Sequence, residues 1–175
     1  MATLIKNKRI ATDNWKQFDP ASGESLPASG DFLVPLAMWS AQREQWALRG
    51  GRSGVLLENT EDPRALAGDF NALSLIAVRF PRFTDGRGYS IARLVRRLGW
   101  QGELRAVGDV QRDQLFLMSR CGFDAFELRA DQDAQNALSA FNDFTAPYQQ
   151  AIDGGARFGA VREAQKTAGT SFTPW

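Results

Sequence analysis

Leu73 to Gly108, LSLIAVRFPRFTDGRGYSIARLVRRLGWQGELRAVG, holds a strand, a crossover and a second strand in one run. Leu73-Ser74-Leu75-Ile76-Ala77-Val78 is apolar and long enough for a buried strand. Ile91, Leu94, Val95 and Leu98 then recur at the i, i+3, i+4, i+7 spacing of an amphipathic helix, and Gly99 is placed to end it. Leu104-Arg105-Ala106-Val107, closed by Gly108, is the next strand. Two strands joined by a helical crossover should lie parallel, with a right-handed connection.

The same rhythm extends on both sides. Upstream, Gly54-Val55-Leu56-Leu57-Glu58 is a short apolar strand, followed by Asp62-Pro63, where Asp62 suits an N-cap and Pro63 a first helical position. Downstream, Asp109 can cap a helix carrying Leu115, Met118 and Cys121 inward, and Gly122 ends it. Phe123 to Leu128 is a fourth strand, and Asp131 can cap a last helix with Ala134, Ala137, Leu138, Phe141 and Phe144 facing inward. The fold class expected is therefore α/β, a parallel sheet of about four βα units. Neighbouring consecutive strands would make it half-barrel-like; one reversal of order would make it doubly wound with a crevice.

Before this core, Leu4 to Ile10 suits a short hairpin around Asn7-Lys8, and Asp13 to Gly30 an irregular loop. Phe32-Leu33-Val34 is a strand candidate, and Pro35 can open a helix running to about Leu48 before Gly50-Gly51. Residues 1–31 thus form an N-terminal extension, 32–144 the βα core, and 145–175 an arm with a disordered tail, all within one domain.

Composition narrows the chemistry. The chain has 175 residues, a net charge of +1 and 43% hydrophobic content, which suits one globular domain with no staple. The near-zero charge argues against nucleic-acid binding by bulk attraction. Histidine is absent, which removes the His general base, His triads and the commonest metal ligand. Cys121 is the single cysteine, so the chain has no internal disulfide, no CxxC pair and no self-contained iron–sulfur cluster. No apolar h-region or long apolar run is visible, which points to a cytoplasmic protein that does not enter the membrane.

Ligand sites of parallel sheets form beyond the carboxyl ends of the strands. That rule selects Glu58, then Arg79, Arg82, Asp85, Arg87, Tyr89 and Ser90, then Gly108, Asp109 and Arg112, then Glu127, Arg129 and Asp131. The ligand-binding candidates are Asp85, Arg87, Tyr89, Ser90, Asp109 and Arg112. Gly86 and Gly88 could let backbone amides approach an anion at a helix N-terminus, and Arg87 could fork onto it. The segment is neither a Walker A loop nor a dinucleotide fingerprint. In the structural alternative, Asp85 satisfies loop amides, Arg87 pairs with Asp85 or Asp109, and Asp109 is a cap. Arg105 inside a buried strand needs a carboxylate, Glu103 or Glu127. Arg93, Arg96 and Arg97 with Arg87 could form a positive rim for an acidic partner. Cys121, Trp39 and Trp46 read as packing. Glu58, Asp85 and Asp109 would bind Mg2+ only if their strand ends converged, and no spacing demands a metal. No catalytic residue and no cofactor is indicated.

The run Phe80 to Ser90, then Gly102 to Val110, Arg112-Asp113-Gln114 and Cys121-Gly122-Phe123-Asp124, with Asp13-Asn14-Trp15 and Val34-Pro35-Leu36 earlier, resembles a bacterial family of unknown function. The resemblance covers the chain to about Tyr148. Members are commonly labelled as oxidoreductases of sulfite reduction and tend to be encoded beside the haemoprotein subunit of assimilatory sulfite reductase. The resemblance implies a role in sulfur assimilation, with that subunit as a partner. An enzyme with a small-anion or phosphate pocket, and a structural subunit of a homo-oligomer built through open sheet edges, are the other readings.

Overall fold

In the computed structural model, residues 3–22 and 26–143 are described. Eight strands form one sheet: β1 Thr3–Lys6, β2 Arg9–Ala11, β3 Lys16–Gln17, β4 Phe32–Pro35, β5 Ser53–Leu57, β6 Leu75–Phe80, β7 Glu103–Gly108 and β8 Ala125–Leu128. Their order is β2-β1-β8-β7-β6-β5-β4-β3. From β3 to β8 every pairing is parallel and follows chain order without reversal. The half-barrel arrangement is therefore the one adopted, and the doubly wound alternative is not. The expectation of a four-unit, all-parallel sheet is corrected as well. The β1–β2 hairpin turns at Asn7 and Lys8, both with positive φ, and β1 joins the β8 edge antiparallel. The N-terminal extension thus supplies three strands of a mixed sheet.

Most helices are shorter than the apolar periodicity suggests. The segment expected to be one helix to Leu48 is two, α1 Leu36–Ala41 and α2 Arg43–Leu48, broken at Gln42. Between β5 and β6 the chain makes only 3-10 turns; the first does start at Asp62-Pro63, with Asp62 accepting the Arg64 amide at 3.0 Å. The long helix is α3, Arg87–Arg97, which buries Gly88, Ile91, Ala92 and Val95. A Cβ on Gly88 would lie 2.4 Å from the Phe80 ring, so this glycine lets α3 sit down on β6. Then follow α4 Leu115–Arg120 and α5 Ala134–Ser139. Two expected caps are corrected. Asp109 does not cap the next helical segment, because its carboxylate is taken by Phe83, Gln111 and Arg129. Asp131 does not cap α5, because it is paired with Arg129; Asp133 caps it, accepting the Asn136 amide at 2.6 Å. Phe144 and the arm at 145–175 lie outside the described residues.

Strand residues alternate between two cores, as a pleat requires. Val34, Val55, Leu57, Ile76, Val78, Phe80, Leu104, Ala106 and Phe126 face the helices, where Trp39, Trp46 and Trp100 fill the space. Leu33, Leu56, Leu75, Ala77 and Val107 face the other way, against Trp15.

The geometry of that second face follows from chain length. β2 and β3 are the two opposite edges of the sheet, yet only Thr12 to Trp15 joins them. A flat sheet of eight strands would hold its edges about 34 Å apart. The connection from Ala11 to Lys16 reaches at most about 17 Å. The sheet must curl around the helix-free face, and the connection must cross its mouth as a strap. Midway, Asp13 Oδ2 meets Arg105 Nη1 of β7 at 2.8 Å, and Trp15 packs against Gly54 of β5. Arg105 is 2% exposed and also holds Glu103, whose other oxygen meets Lys6 of β1 at 2.6 Å. A buried guanidinium that loses a partner keeps its desolvation cost. Asp13→Asn is expected to lower unfolding free energy by about 1–3 kcal/mol, discounted for the partial exposure of Asp13. Urea denaturation of this variant beside Glu44→Gln, an exposed carboxylate on α2, checks it; equal midpoints would show that the strap does not hold the curl.

Candidate functional site

The carboxyl ends of β5, β6, β7 and β8 form one rim. The loop after β6 and the turn after β7 meet there. Asp109 N–H donates to Phe80 O at 2.8 Å, and Asp109 Oδ2 accepts the Phe83 amide at 2.9 Å. Gly108 makes this approach possible: its φ is +97°, and a Cβ there would sit 2.5 Å from Phe80 O.

Within the rim, Asp85 folds back on its own loop. Its carboxylate accepts the Arg87 amide at 3.1 Å and the Arg87 guanidinium at 2.6 and 3.0 Å, and Asn59 Nδ2 donates to it as well. The Arg87 side chain, its amide and Asn59 hold Asp85 far below the usual carboxylate range. Neither Gly86, at φ −77°, nor Gly88, within α3, takes the left-handed conformation of an anion-cradling loop. The Arg87 amide and the Nε and Nη2 of its guanidinium, which an incoming anion would use at the start of α3, are thus already bound by Asp85.

The other candidates separate into two groups. Tyr89 packs edge-on against Phe80, and its hydroxyl receives Gln114 Nε2 at 3.3 Å; the same amide reaches Phe83 O at 2.8 Å. Burial pushes the Tyr89 hydroxyl up. Ser90 lies one position on, exposed on the first turns of α3. Arg112 points elsewhere: it binds the Asn136 carbonyl, the Ser139 hydroxyl and both oxygens of Asp143, fastening α5 to the preceding turn. The structure therefore brings Asp85, Arg87, Tyr89 and Asp109 around one loop and places Arg112 with α5.

The rim's other charges pair in turn, Glu58 with Arg79 at 2.9 Å and Asp109 with Arg129 at 2.9 Å. Glu58, Asp85 and Asp109 do not converge; each faces its own arginine. Among the described residues no group of three or more His, Cys, Asp or Glu side chains gathers as a metal site. Cys121 is buried at the end of α4. Sequence reasoning missed the concave face. Arg105 pairs with Glu103, as its burial requires, but its second partner is Asp13, 92 residues away, and not Glu127. No local spacing announces that pairing.

Strong acid should loosen this rim. Asp109 is held below the usual range by the Gln111 amide, the Phe83 N–H and Arg129. A carboxylate whose folded pKa is lowered stabilises fully above the unfolded value of about 4 and loses that contribution as pH falls through the folded value. Stability should accordingly fall on acidification below about pH 4, less steeply in Asp109→Asn. At neutral pH that variant should also speed hydrogen exchange at the Phe83 amide. Unchanged exchange there would show that Asp109 does not tether the loop.

Comparison with known proteins adds the family. The model of a family described as "Bacterial protein of unknown function (DUF934)" matches residues 54–158, from β5 onward. A comparison with curated proteins gives no match. With more than half of its length matched, including β5 to β8 and the rim they carry, the chain belongs to the bacterial DUF934 family.

Proposed function

We propose that this protein is an accessory factor of assimilatory sulfite reduction that docks on an acidic surface of a partner, the haemoprotein subunit of the reductase. The single observation that carries this reading is the charge distribution around α3. The rim carboxylates each have an arginine of this chain, whereas Arg82, Arg93 and Arg97 are exposed and form no ion pair among the described residues. Arg93 and Arg97 are one turn apart on the solvent face of α3, in line with Ser90. Phe83, in the loop that leads into α3, is 50% exposed and offers an apolar surface. Exposed guanidiniums together with an exposed aromatic ring suit a protein interface with a negative partner.

Composition supports an assisting role over reduction by this chain itself. The reductase reaction takes sirohaem and an iron–sulfur cluster, and a chain with one cysteine and no histidine lacks the ligands to hold the cluster alone. The reading as an anion- or phosphate-binding enzyme requires the ligand to displace Asp85 from Arg87, and so has less support. The sulfite connection itself rests on the family resemblance.

Co-purification with the haemoprotein subunit tests the proposal. The pair Arg93→Glu and Arg97→Glu should weaken the complex about tenfold or more, and added salt should weaken the wild-type complex. A clean deletion should slow growth on sulfite as sole sulfur source. Normal growth together with no co-purification would overturn the reading.

A further inference from the structure

The curl of the sheet leaves a cleft of about 450 Å³ on the concave face, between the strap and the β2-β1-β8 edge. Thr3 and Leu4 of β1, Ala11 at the end of β2, Thr12, Asp13 and Trp15 of the strap, and Glu127 of β8 line it. The volume falls within the range of small-molecule sites.

Glu127 is the unusual member. It stands opposite Leu4 across the β1–β8 pair and is partly buried. Its carboxylate has no hydrogen bond or ion pair among the described residues. The nearby cation that would serve it is spent: Arg105 gives Nε and Nη2 to Glu103 and Nη1 to Asp13. Asp13 is spent as well, on Arg105 and on the Trp15 amide. Lys6 is held by Glu103, and Arg79 by Glu58. The Glu127 carboxylate opens onto the cleft with no donor from its described neighbours, so a ligand that brings N–H donors and positive charge finds an acceptor there that the chain itself does not occupy. An anion would meet two carboxylates here. The walls complete the picture: the Trp15 ring, Leu4 and Ala11 are apolar, and Thr3 and Thr12 carry hydroxyls.

We propose that this cleft binds the ammonium or guanidinium end of a small amine, with Glu127 as its counter-charge and Trp15, Leu4 and Ala11 against its carbon chain. The site is on the concave face and does not depend on the role proposed for α3. Burial raises the Glu127 carboxyl, with Arg105 opposing and Asp13 reinforcing the shift, so binding should strengthen as pH rises through its titration.

The test titrates the full chain with n-butylammonium and methylguanidinium, followed by amide shifts of Thr3, Leu4 and Thr12. n-Butanol and butyrate are the matched neutral and anionic probes. The cations should bind at least about tenfold more tightly than either, and Glu127→Gln should remove that preference while Glu44→Gln keeps it. Repeating the wild-type titration across pH reads the same carboxylate without any variant. Acetyl-Gly-Lys-Gly-amide separates the sources: tighter binding than n-butylammonium assigns the cleft to a protein lysine, weaker binding to a free amine. Equal affinity for butanol and butylammonium, a cation affinity independent of pH, or no shifts at the cleft would overturn the site.

Discussion

The contact between Asp13 and Arg105 joins the one segment that links both edges of the sheet to the middle of that sheet. Four residues between opposite edges cannot coexist with a flat sheet. The curl, the second core under Trp15 and the cleft beside Glu127 all follow from that limit on reach. Burying Arg105 is tolerable because three guanidinium nitrogens find carboxylate oxygens, one of them delivered by the strap. Strap and buried charge therefore depend on each other: without Asp13 the guanidinium is under-satisfied, and without Arg105 the strap has no polar anchor inside.

The rim at the strand ends has a different character. Its acids and arginines are mostly neighbours in sequence or on adjacent strand ends, and they neutralise one another. Asp85 accepts the Arg87 amide just ahead of α3 while clasping the Arg87 guanidinium, so this loop is organised before any ligand arrives. Asp109 pins the neighbouring turn to Phe83. The rim is internally balanced, and among the described residues Arg93 and Arg97 on α3 form no ion pair. The concave face holds the opposite arrangement, a carboxylate with no ion pair or hydrogen bond among the described residues, lining a cleft.

Much of the core was legible from local pattern. β5 to β8 and α3 lie where the apolar runs and the helical stripe put them, and Gly99, Gly108 and Gly122 stand at the stops with positive φ. The meeting of the Phe83 loop with the Asp109 turn followed from the parallel sheet. Caps were less legible. Asp109 and Asp131 have cap-like positions, but long-range or neighbouring arginines and amides captured their carboxylates first. Gly86 and Gly88 looked like an anion cradle, whereas Gly88 serves close packing on Phe80.

The sequence by itself determined the alternation of strands and crossovers, the parallel pairing that alternation forces, and the need of Arg105 for carboxylates. Those properties are local: periodicity, turn residues and the cost of burying charge act over a few residues. Only the tertiary structure decided that the N-terminal hairpin closes one edge, that Lys16-Gln17 extends the other, and that Asp13 reaches Arg105 while Glu127 is left over. Edge pairing and ion-pair choice are competitions among distant groups. Their outcome depends on which partners the curled sheet brings within hydrogen-bonding reach, and no spacing along the chain encodes that distance.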